Sequence, residues 1–518
     1  MNEESFIDMT YAGLTYYTSL AGRYVVKAAN SLAYLGRHNF GTPQREEFTT
    51  FIDPGIKEAI QSFPGDIDLD KFDNFSRSYY SLRGHMDALY NFGSSRRASE
   101  PVNDPDWLAT KEHCFQLFST FPMVHAMDFE TELKQVPFEP TSSAGIGMPG
   151  KKGDGDNHKR AVRQASATVY HCISDGIQHV IDNSTPDMAF VRTQLTDLTK
   201  QTKIRHVFGQ AFQYILLEGL FAYPLLSMFM MIDSPYFLGR DPRTDVVKFI
   251  ERLTTTGKDM FSTDWSRFDQ TAEHWELTYV FELFESIMKI PNSHTQTAWE
   301  FVKIFFINRK IAAPDGTLWS KARGVPSGSY FTNVADTFIN YARIQYMSKR
   351  ITGQFIDPDH IRLLGDDALF AISAAYGINP YRLSQAIPDD LRDIWILRPD
   401  KMSYGRSSDL VEFLQRTLKF GDQHRDNDRV ERLALFPEYP ITDKRISAYR
   451  ARALWEDGNY ESNMLGYVTA YLEHKYGTPD KKEIPRWVQT WVEKLKLPVT
   501  QDTAPVWNKM NENTRRSI

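Results

Sequence analysis

The segment 361–372, IRLLGDDALFAI, constrains the fold of this chain more than any other. Two apolar runs flank Gly365, Asp366 and Asp367, and short apolar runs bounded by turn residues are typical of β-strands. Glycine and aspartate favour tight turns, so the segment predicts a β-hairpin with two carboxylates at its tip. A turn of this composition is most often only a turn. Here the strongly apolar flanks would bury both strands and leave the carboxylates projecting from them, which favours a functional use.

The composition is that of a globular chain. A length of 518 residues is too great for one hydrophobic core and suits about three packed subdomains. Hydrophobic residues make up 42%, with 34 Phe, 25 Tyr and 10 Trp, which argues against disorder on the scale of a domain. The only two cysteines, Cys114 and Cys172, exclude a disulfide framework and favour a reducing compartment. The net charge of −6 leaves a nucleic-acid partner open, because only a binding channel has to attract phosphates.

Neither a secretory leader nor a membrane span is expected. The N-terminal sequence MNEESFIDMT lacks a basic start followed by an apolar run. The most apolar stretch, 219–232, is shorter than the roughly 20 residues that cross a bilayer, and Pro224 interrupts it. We therefore predict a buried core helix there, and no membrane partner.

The hydrophobic pattern divides the chain into regions. Residues 140–160 are dense in glycine, serine and lysine and predict a loop. Residues 161–232 have a mainly helical pattern, with a polar and basic break at 200–206. Between 258 and 420, short β-like runs alternate with long amphipathic helices, which predicts an α+β core. The pattern from 421 onward is again mainly helical and ends in a polar tail.

A second acidic segment, KDMFSTDWSRFD at 258–269, begins as a strand and leaves Asp264 at its end. Nucleotidyl transfer uses two Mg²⁺ ions roughly 4 Å apart, and such hard cations take carboxylate oxygens as ligands. Asp264 and Asp366, on adjacent strands, would bridge both ions. The competing interpretation is that Asp264 caps a helix beginning near Ser266.

A third segment, GVPSGSYFTNVADTFIN at 324–340, is a loop of small residues that runs into an amphipathic helix. Small residues allow the backbone to approach a nucleic acid closely. Thr332, Asn333 and Asp336 lie on the first turns of this helix, and an asparagine amide can both donate to and accept from a sugar hydroxyl. The competing interpretation is an ordinary loop followed by a capped helix.

In chain order, the segments 258–269, 324–340 and 361–372 resemble palm motifs A, B and C of viral RNA-dependent RNA polymerases. DWSRFDQT, GVPSGSYFTNVADTFIN and LLGDDALF are most similar to the polymerases of partitiviruses and picobirnaviruses, which are small bisegmented double-stranded RNA viruses. The resemblance spans 264–416. It implies that Asp264, Asp366 and Asp367 are catalytic and hold two Mg²⁺ ions, which Mn²⁺ can replace. Ala368 departs from the family, which has a small hydroxyl residue there, but that position contacts no metal.

The resemblance also assigns residues to substrate binding. Lys203 and Arg205 lie in a segment similar to the basic finger motif F, which covers the triphosphate, although a solvated basic loop is the alternative. Lys401 corresponds to the motif D lysine and would be a general acid for the leaving pyrophosphate. Asp269 and Asn333 would bond the ribose 2′-hydroxyl, which an enzyme that makes DNA would instead block with a bulky side chain. The full set of implied NTP-binding residues is Lys203, Arg205, Asp269, Ser327, Gly328, Thr332 and Asn333.

Two further segments resemble template and primer motifs. The small-residue loop at 141–145 is similar to motif G near the template entry, and 412–416 to the palm–thumb hairpin, motif E. The residues that these motifs assign to the template and primer are Thr141, Ser142, Ser143, Gly145, Phe413 and Arg416.

The implied fold is an α+β right hand of fingers, palm and thumb, closed by N-terminal fingertips, with an antiparallel palm sheet backed by helices. We expect an N-terminal region with fingertips at 1–70 and fingers at 71–257, with room for a palm insertion. The palm, with motifs A–E and a finger segment, is expected at 258–420, and the thumb and C-terminal tail at 421–518.

The implied partners are an RNA template, nascent RNA, NTPs and the viral capsid protein, for a monomer inside the virion in the host cytoplasm. Two rivals remain at this point. A reverse transcriptase shares the palm and its metal ions, and a capsid or RNA-binding protein would have no catalytic activity.

Overall fold

The computed structural model describes residues 31–200 and 204–494, so that Lys203 lies outside the described residues. The helices of this part are α1 (Pro54–Gln61), α2 (Leu82–Ser94), α3 (Pro105–Ser119), α4 (Asn157–Asp175), α5 (Ile177–Asp182), α6 (Phe212–Met231), α7 (Pro242–Thr255), α8 (Phe268–Thr271), α9 (His274–Ser286), α10 (Ser293–Ile307), α11 (Thr332–Thr352), α12 (Pro380–Ser384), α13 (Asn427–Leu435), α14 (Lys444–Asp457), α15 (Asn463–Tyr476) and α16 (Arg486–Lys494). The strands are β1 (Leu32–Arg37), β2 (Phe75–Ser76), β3 (Val124–His125), β4 (Asp187–Thr193), β5 (Thr196–Asp197), β6 (Ile204–Gly209), β7 (Asp259–Ser262), β8 (Met288–Lys289), β9 (Arg309–Ala312), β10 (Thr317–Lys321), β11 (Ile361–Leu364), β12 (Asp367–Ile372), β13 (Ser403–Gly405), β14 (Thr417–Lys419) and β15 (Asp422–His424).

One sheet has four antiparallel strands in the order β11-β12-β7-β13. β11 and β12 form the predicted hairpin, with Leu364 opposite Asp367 and a two-residue turn, Gly365 and Asp366, between them. Gly365 has φ +67°, and a positive φ at the first turn residue alone is the pattern of a type II′ turn. The hairpin and its acidic tip are therefore confirmed.

Both faces of this sheet are covered by helices. Phe261 and Phe370 point into the largest core, which α9 and α11 also line. Met260 and Leu369, one residue away along the same strands, point the other way and pack against Phe249 of α7. Because successive side chains of a strand alternate between faces, each strand contributes to both cores. The sheet is thus an apolar layer between two cores, and its polar side chains lie at or near the ends of the strands.

The apolar stretch predicted as a core helix is α6. It starts earlier than the pattern indicated, at Phe212, and its 20 residues are long and apolar enough to cross a bilayer. However, 67% of its most apolar window is buried inside the protein, and Leu216, Leu220 and Phe221 have no exposed surface. The prediction of a buried core helix is confirmed, and only its length was underestimated.

A five-stranded sheet, in the order β1-β10-β9-β4-β6, joins segments that are distant in sequence. The stretch 161–232 is mainly helical, as predicted, but it also contains the unpredicted strand β4 and the strand β6, which begins inside the predicted break at 200–206. β4 pairs with β6 in antiparallel orientation and with β9 in parallel orientation. Pairing with a remote strand decides the structure of such short segments, and local pattern does not contain this information.

The segment from β1 to α1 links this sheet to the C-terminal helices. β1 pairs with β10, whereas Ile56 of α1 packs in a core with Ala448 of α14 and Leu465 of α15. Asp53 caps α1 and forms a salt bridge with Arg450, and both side chains are almost fully buried. The described N-terminal segment therefore spans two parts of the molecule, and its assignment to fingertips stays a prediction.

We expect Asp53→Asn to lower the free energy of unfolding by about 3 kcal/mol, because it leaves the buried Arg450 guanidinium without a counter-charge. Asparagine still accepts the capping hydrogen bonds, so the loss reports the ion pair. Chemical denaturation of the purified variant measures the effect. Glu493→Gln, in the exposed pair between Arg486 and Glu493, is the matched control and should cost less than about 0.5 kcal/mol. Equal losses in the two variants would contradict this assignment.

Candidate active site

Three carboxylates meet at one end of the four-stranded sheet. Asp264 follows β7, and Thr263 N donates to Ala368 O at 3.1 Å, which keeps this segment beside β12. Asp366 lies in the hairpin turn, and Asp367 begins β12. The charges of Asp366 and Asp264 both act on the Asp367 carboxyl. The structure thus brings together the three residues that the motifs single out.

Asp264 is not the cap of a helix. The helix α8 begins at Phe268, and its N-cap residue is Arg267, with φ +56° and no side-chain hydrogen bond to the helix. The Asp264 backbone oxygen instead accepts a hydrogen bond from Arg398 N at 2.9 Å. This contact ties the end of β7 to the segment that leads into β13.

Asn340, on α11, holds the acidic turn in place. Its Nδ2 donates to Gly365 O at 3.1 Å and to Asp366 O at 2.8 Å, and its Oδ1 accepts from Trp265 Nε1 at 2.9 Å. Thr337 Oγ1, one helical turn earlier, accepts from Gly365 N at 2.8 Å. One helix therefore fixes the backbone of both acidic segments. The motif pattern does not single out Asn340, whose only signal is its spacing from Thr337 along one helical face.

Desolvation and like charge raise the pKa of two of the acids. Asp367 keeps exposed surface at the hairpin tip, but the protein around its carboxyl and the charge of Asp366 disfavour the ionised form and raise its pKa to about 7. The pKa of Asp269 rises to about 6 for the same two reasons, while the Arg205 charge and a hydrogen bond from Ser327 oppose the rise. The sheet end therefore concentrates negative charge that a divalent cation would neutralise.

Carboxylate oxygens are the ligand type that Mg²⁺ takes, and a site here would need substrate to complete the coordination. Mg²⁺ commonly takes one or two carboxylates and fills its other positions with water and phosphate oxygens. In residues 31–200 and 204–494, no group of three or more acidic, histidine or cysteine side chains is arranged so that it could hold a metal ion by itself. Asp264, Asp366 and Asp367 would supply the protein ligands. The raised pKa of Asp367 fits such a site, since ion binding releases a proton from a carboxylic acid.

The loop of small residues at 324–331, called the glycine-rich loop from here on, lies beside this acidic end. Ser327 Oγ donates to Asp269 Oδ2 at 3.1 Å, and Phe208 N of β6 donates to Ser327 O at 2.8 Å. Gly328 has φ +117°, and a Cβ there would lie 2.5 Å from Phe208 O, so only glycine fits. The loop is therefore held between Asp269 and β6.

Thr332 and Asn333 connect the loop to the turn. Thr332 Oγ1 donates to Pro326 O at 2.8 Å and so ties the loop to the start of α11. Asn333 Oδ1 accepts from Tyr236 Oη at 2.8 Å. A Cβ on Gly365 would lie 3.2 Å from Asn333 Nδ2, which places this amide next to the acidic turn. Asn333 is exposed, so that a ligand has access to it.

Asp336 is a site residue that the motifs do not assign. It is 4% exposed, and within the described part of the chain its Oδ1 has no hydrogen-bond partner. Burial and the charges of Asp269 and Asp366 raise its pKa well above the ordinary value. The sequence already places it on the first turns of this helix, one turn after Asn333, but gives it no role.

Arg205 faces the acidic residues from β6. It is exposed, whereas the neighbouring His206 is 4% exposed, because adjacent residues of a strand point in opposite directions. The Arg205 charge opposes the rise in pKa of Asp269, Asp336 and Asp367. The structure thus places Arg205 where a triphosphate over the acidic end would meet it, and its role stays a prediction.

The predicted template-entry loop is anchored beside the start of α6. Gly145 has φ +78°, and a Cβ there would lie 2.8 Å from Ala211 Cα. Ser142 Oγ accepts from Lys152 Nζ at 2.7 Å. Thr141 and Ser143 are exposed, and their contact with RNA stays a prediction.

Phe413 and Arg416 are buried, which corrects the expectation that these side chains contact the primer strand. They flank a two-residue turn in which Leu414 and Gln415 have φ of +51° and +61°, the pattern of a type I′ turn. Phe413 is 1% exposed, and Arg416 is 3% exposed and pairs with Asp457. The exposed residues of the segment 412–416 are Glu412 and Gln415.

Lys401 lies in an exposed turn just before β13. Its backbone N donates to Arg398 O at 2.9 Å, and Arg398 N in turn contacts Asp264 O. The turn therefore adjoins the acidic end, while the catalytic role of the Lys401 amine stays a prediction.

Comparisons with known proteins agree with this geometry. The sequence profile described as viral RNA-dependent RNA polymerase matches residues 67–474. A curated relative, the RNA-directed RNA polymerase of Cryptosporidium parvum virus 1 (strain KSU-1), is 26% identical over 155 residues. That alignment spans 29% of this chain and 29% of the relative's length.

Two solved structures share the fold. The RNA-dependent RNA polymerase of a sicinivirus superposes with a TM-score of 0.62 at 15% identity, covering 89% of this chain and 99% of that chain. The polymerase of a human picobirnavirus superposes with a TM-score of 0.58 at 14% identity, covering 86% of this chain and 82% of that chain. The predicted α+β polymerase fold is thereby confirmed.

We expect Asp366→Asn to raise the thermal unfolding midpoint of the metal-free protein at about pH 8 by about 1 to 2 °C. The folded-state pKa values of Asp367 (about 7) and Asp269 (about 6) exceed the unfolded value of 3.8, so charge repulsion destabilises the fold as the pH rises through this range. Below about pH 5 both acids are protonated, and the gain should vanish.

Thermal unfolding in a chelator at about pH 5 and about pH 8 measures this difference. Asp400→Asn is the control, because the Asp400 carboxylate is paired with Arg398 and has a lowered pKa. If the unfolding midpoint of Asp366→Asn at about pH 8 is lower than that of the wild-type protein, the acidic end is not under charge repulsion.

Proposed function

The chain belongs to the viral RNA-dependent RNA polymerase family, and we propose that it copies an RNA template by two-metal nucleotidyl transfer. The observation that carries this proposal is the sheet end at which Asp264, Asp366 and Asp367 converge, with Arg205 facing them. The comparisons lend no support to a reverse transcriptase. A capsid or RNA-binding protein without catalysis has no need of three mutually repelling carboxylates.

The residues of the site have distinct roles in this reaction. Two bound Mg²⁺ ions, or Mn²⁺ in their place, would activate the 3′-hydroxyl and neutralise the triphosphate. Asp264 and Asp366 would hold them, with Asp367 as the less direct ligand. The 3′-hydroxyl gives its proton to solvent water, its oxygen forms a bond to the α-phosphorus, and the bond between that phosphorus and the pyrophosphate oxygen breaks. Arg205 would neutralise the phosphates, and Lys401 would give a proton to the departing pyrophosphate.

Ribose selection is proposed for the polar groups between the loop and α11. Asp269 and Asn333 would bond the 2′-hydroxyl and Ser327 would orient Asp269, to which it donates at 3.1 Å. Asp336 supports this assignment, because its buried carboxyl presents one oxygen without a hydrogen-bond partner in the described structure. A polar site of this kind gains binding energy from a hydroxyl that a deoxyribose lacks.

The biological setting is proposed from the resemblance to partitivirus and picobirnavirus polymerases. The enzyme would transcribe and replicate a double-stranded RNA genome as a monomer, with an RNA template, nascent RNA and NTPs as its partners. It would act inside the virion in the host cytoplasm, in contact with the capsid protein. The similarity to the polymerase of Cryptosporidium parvum virus 1 supports a viral origin.

We expect Asp264→Ala and Asp366→Ala each to lower Mg²⁺-dependent incorporation of labelled NTPs by about a thousandfold or more, since each removes a ligand of a catalytic ion. Asp367→Ala should retain more activity. Incorporation on a defined RNA template, with circular dichroism to verify folding, measures both. Asp400→Ala, an acidic residue outside the cluster, is the matched control. Substantial synthesis by either folded variant would remove that residue from the catalytic set.

We expect Asp269→Ala and Asn333→Ala to reduce the preference for GTP over dGTP by about tenfold or more, chiefly by weakening the use of GTP. A site that hydrogen-bonds a substrate hydroxyl can discriminate by ~10⁴-fold, because its own polar groups are left unpaired when the hydroxyl is missing. Steady-state kcat/KM for both nucleotides on one RNA template gives the ratio. If Asp269 only stabilises its helix, both substrates should suffer alike and the ratio should stay unchanged.

A further inference from the structure

The apolar core helix α6 carries one carboxylate, Glu218, which is 1% exposed. Its neighbours on either side, Leu217 and Gly219, are apolar and buried. A carboxylate in such surroundings is costly unless it is paired and hydrogen-bonded. Glu218 lies outside every motif described above, so its contacts must explain its presence.

The two carboxylate oxygens of Glu218 have different partners. Oε1 accepts from Arg309 Nη2 at 2.7 Å and from Gln210 Nε2 at 3.0 Å. Oε2 accepts from Ser329 Oγ at 2.7 Å and from Tyr330 N at 3.1 Å. One oxygen is thus neutralised by a buried cation, and the other binds the glycine-rich loop.

Buried polar side chains form hydrogen bonds with this loop near both of its ends. Arg309 also donates to Asp187 at 3.0 Å, and neither side chain has exposed surface. The fully buried Lys321 donates from Nζ to Gly324 O at 2.8 Å, at the start of the loop. Arg309 thus pairs with both buried carboxylates, Asp187 and Glu218, whereas Lys321 donates to backbone carbonyls. The loop is attached to this group by Lys321 at its beginning and by Glu218 at its end.

Ser327 lies between the two attachments. Its hydroxyl donates to Asp269 at 3.1 Å, and its carbonyl accepts from Phe208 N at 2.8 Å. Ser329, which Glu218 holds, is only two peptide units further along the chain, a span of at most about 7 Å. A shift of Ser329 would therefore move the Ser327 hydroxyl relative to Asp269.

We propose that Glu218 is a positioning residue for nucleotide selection, because it fixes the loop after Gly328 so that Ser327 reaches Asp269. This inference rests on the proposed role of Ser327 and Asp269 in ribose recognition. Glu218 itself touches no substrate. Its carboxylate acts through Ser329 and the Tyr330 backbone.

Two variants weaken the loop contact in different ways. Glu218→Gln removes the charge and one acceptor, whereas Ser329→Ala removes a loop donor and leaves the buried ion pairs intact. We expect each to raise the KM for GTP and to lower the GTP over dGTP preference, both by about tenfold, the effect of one lost charge-assisted hydrogen bond. The kcat for GTP should change less than the KM. Ser329→Thr, which keeps the hydroxyl, should restore wild-type values.

Asp187→Asn is the matched control, since it weakens the other ion pair of Arg309 without touching the loop. It should lower the thermal unfolding midpoint while keeping the wild-type KM and preference ratio. If Asp187→Asn shifts the KM and the ratio as Glu218→Gln does, Glu218 only stabilises the core and the proposal is overturned. An unchanged ratio in Ser329→Ala overturns it as well, even if Glu218→Gln fails to fold.

Ser327→Ala separates this inference from the proposed function. If Ser327→Ala leaves the GTP over dGTP preference unchanged, Ser327 has no role in ribose recognition. The proposed positioning role of Glu218 is then rejected as well. If Ser327→Ala lowers the ratio but Ser329→Ala and Glu218→Gln do not, the ribose role stands and only the positioning role of Glu218 is rejected.

Discussion

Carboxylates that repel one another stay at one end of a sheet only if the backbone that carries them is held from outside. The helix α11 provides this support, since Asn340 bonds both turn carbonyls and the Trp265 indole. The helix is itself fixed in the core by Arg343, which forms a bidentate pair with the buried Glu276 at 2.7 and 2.8 Å. The other parts of the site are built around this acidic end. Helices cover both faces of the four-stranded sheet, the glycine-rich loop contacts Asp269, and β6 binds that loop through Phe208.

How much of the molecule is predictable from sequence depends on how local the determinants are. The hairpin at 361–372 is predictable, because apolar strands and a Gly-Asp turn are encoded in twelve consecutive residues. The strands β4 and β6 are not, since their partners in the five-stranded sheet include the remote β9 and only the folded chain brings them together. The order of three motifs is enough to identify the acidic residues even though each motif alone is ambiguous.

The residues that pattern misses share one property: their roles exist only in the tertiary structure. Asn340 and Glu218 look like an ordinary helical amide and an isolated acid in an apolar helix until their contacts with the turn and the loop are seen. The reverse error affects Arg416, which its motif places at the primer but which is 3% exposed and pairs with Asp457. A basic residue in a motif therefore does not by itself identify an RNA contact.

A single rigid helix carries three kinds of contact along its length. Thr332 ties α11 to the loop, Asn333 carries the proposed contact to the ribose hydroxyl, and Asn340 holds the acidic turn. A tilt or slide of α11 would displace all of these groups together. One movement of α11 would then change both the accuracy of copying and the geometry of the reacting phosphate. Substitutions that alter the error rate of this enzyme should accordingly include residues deep in the core, such as Arg343, that pack against this helix and never meet a nucleotide.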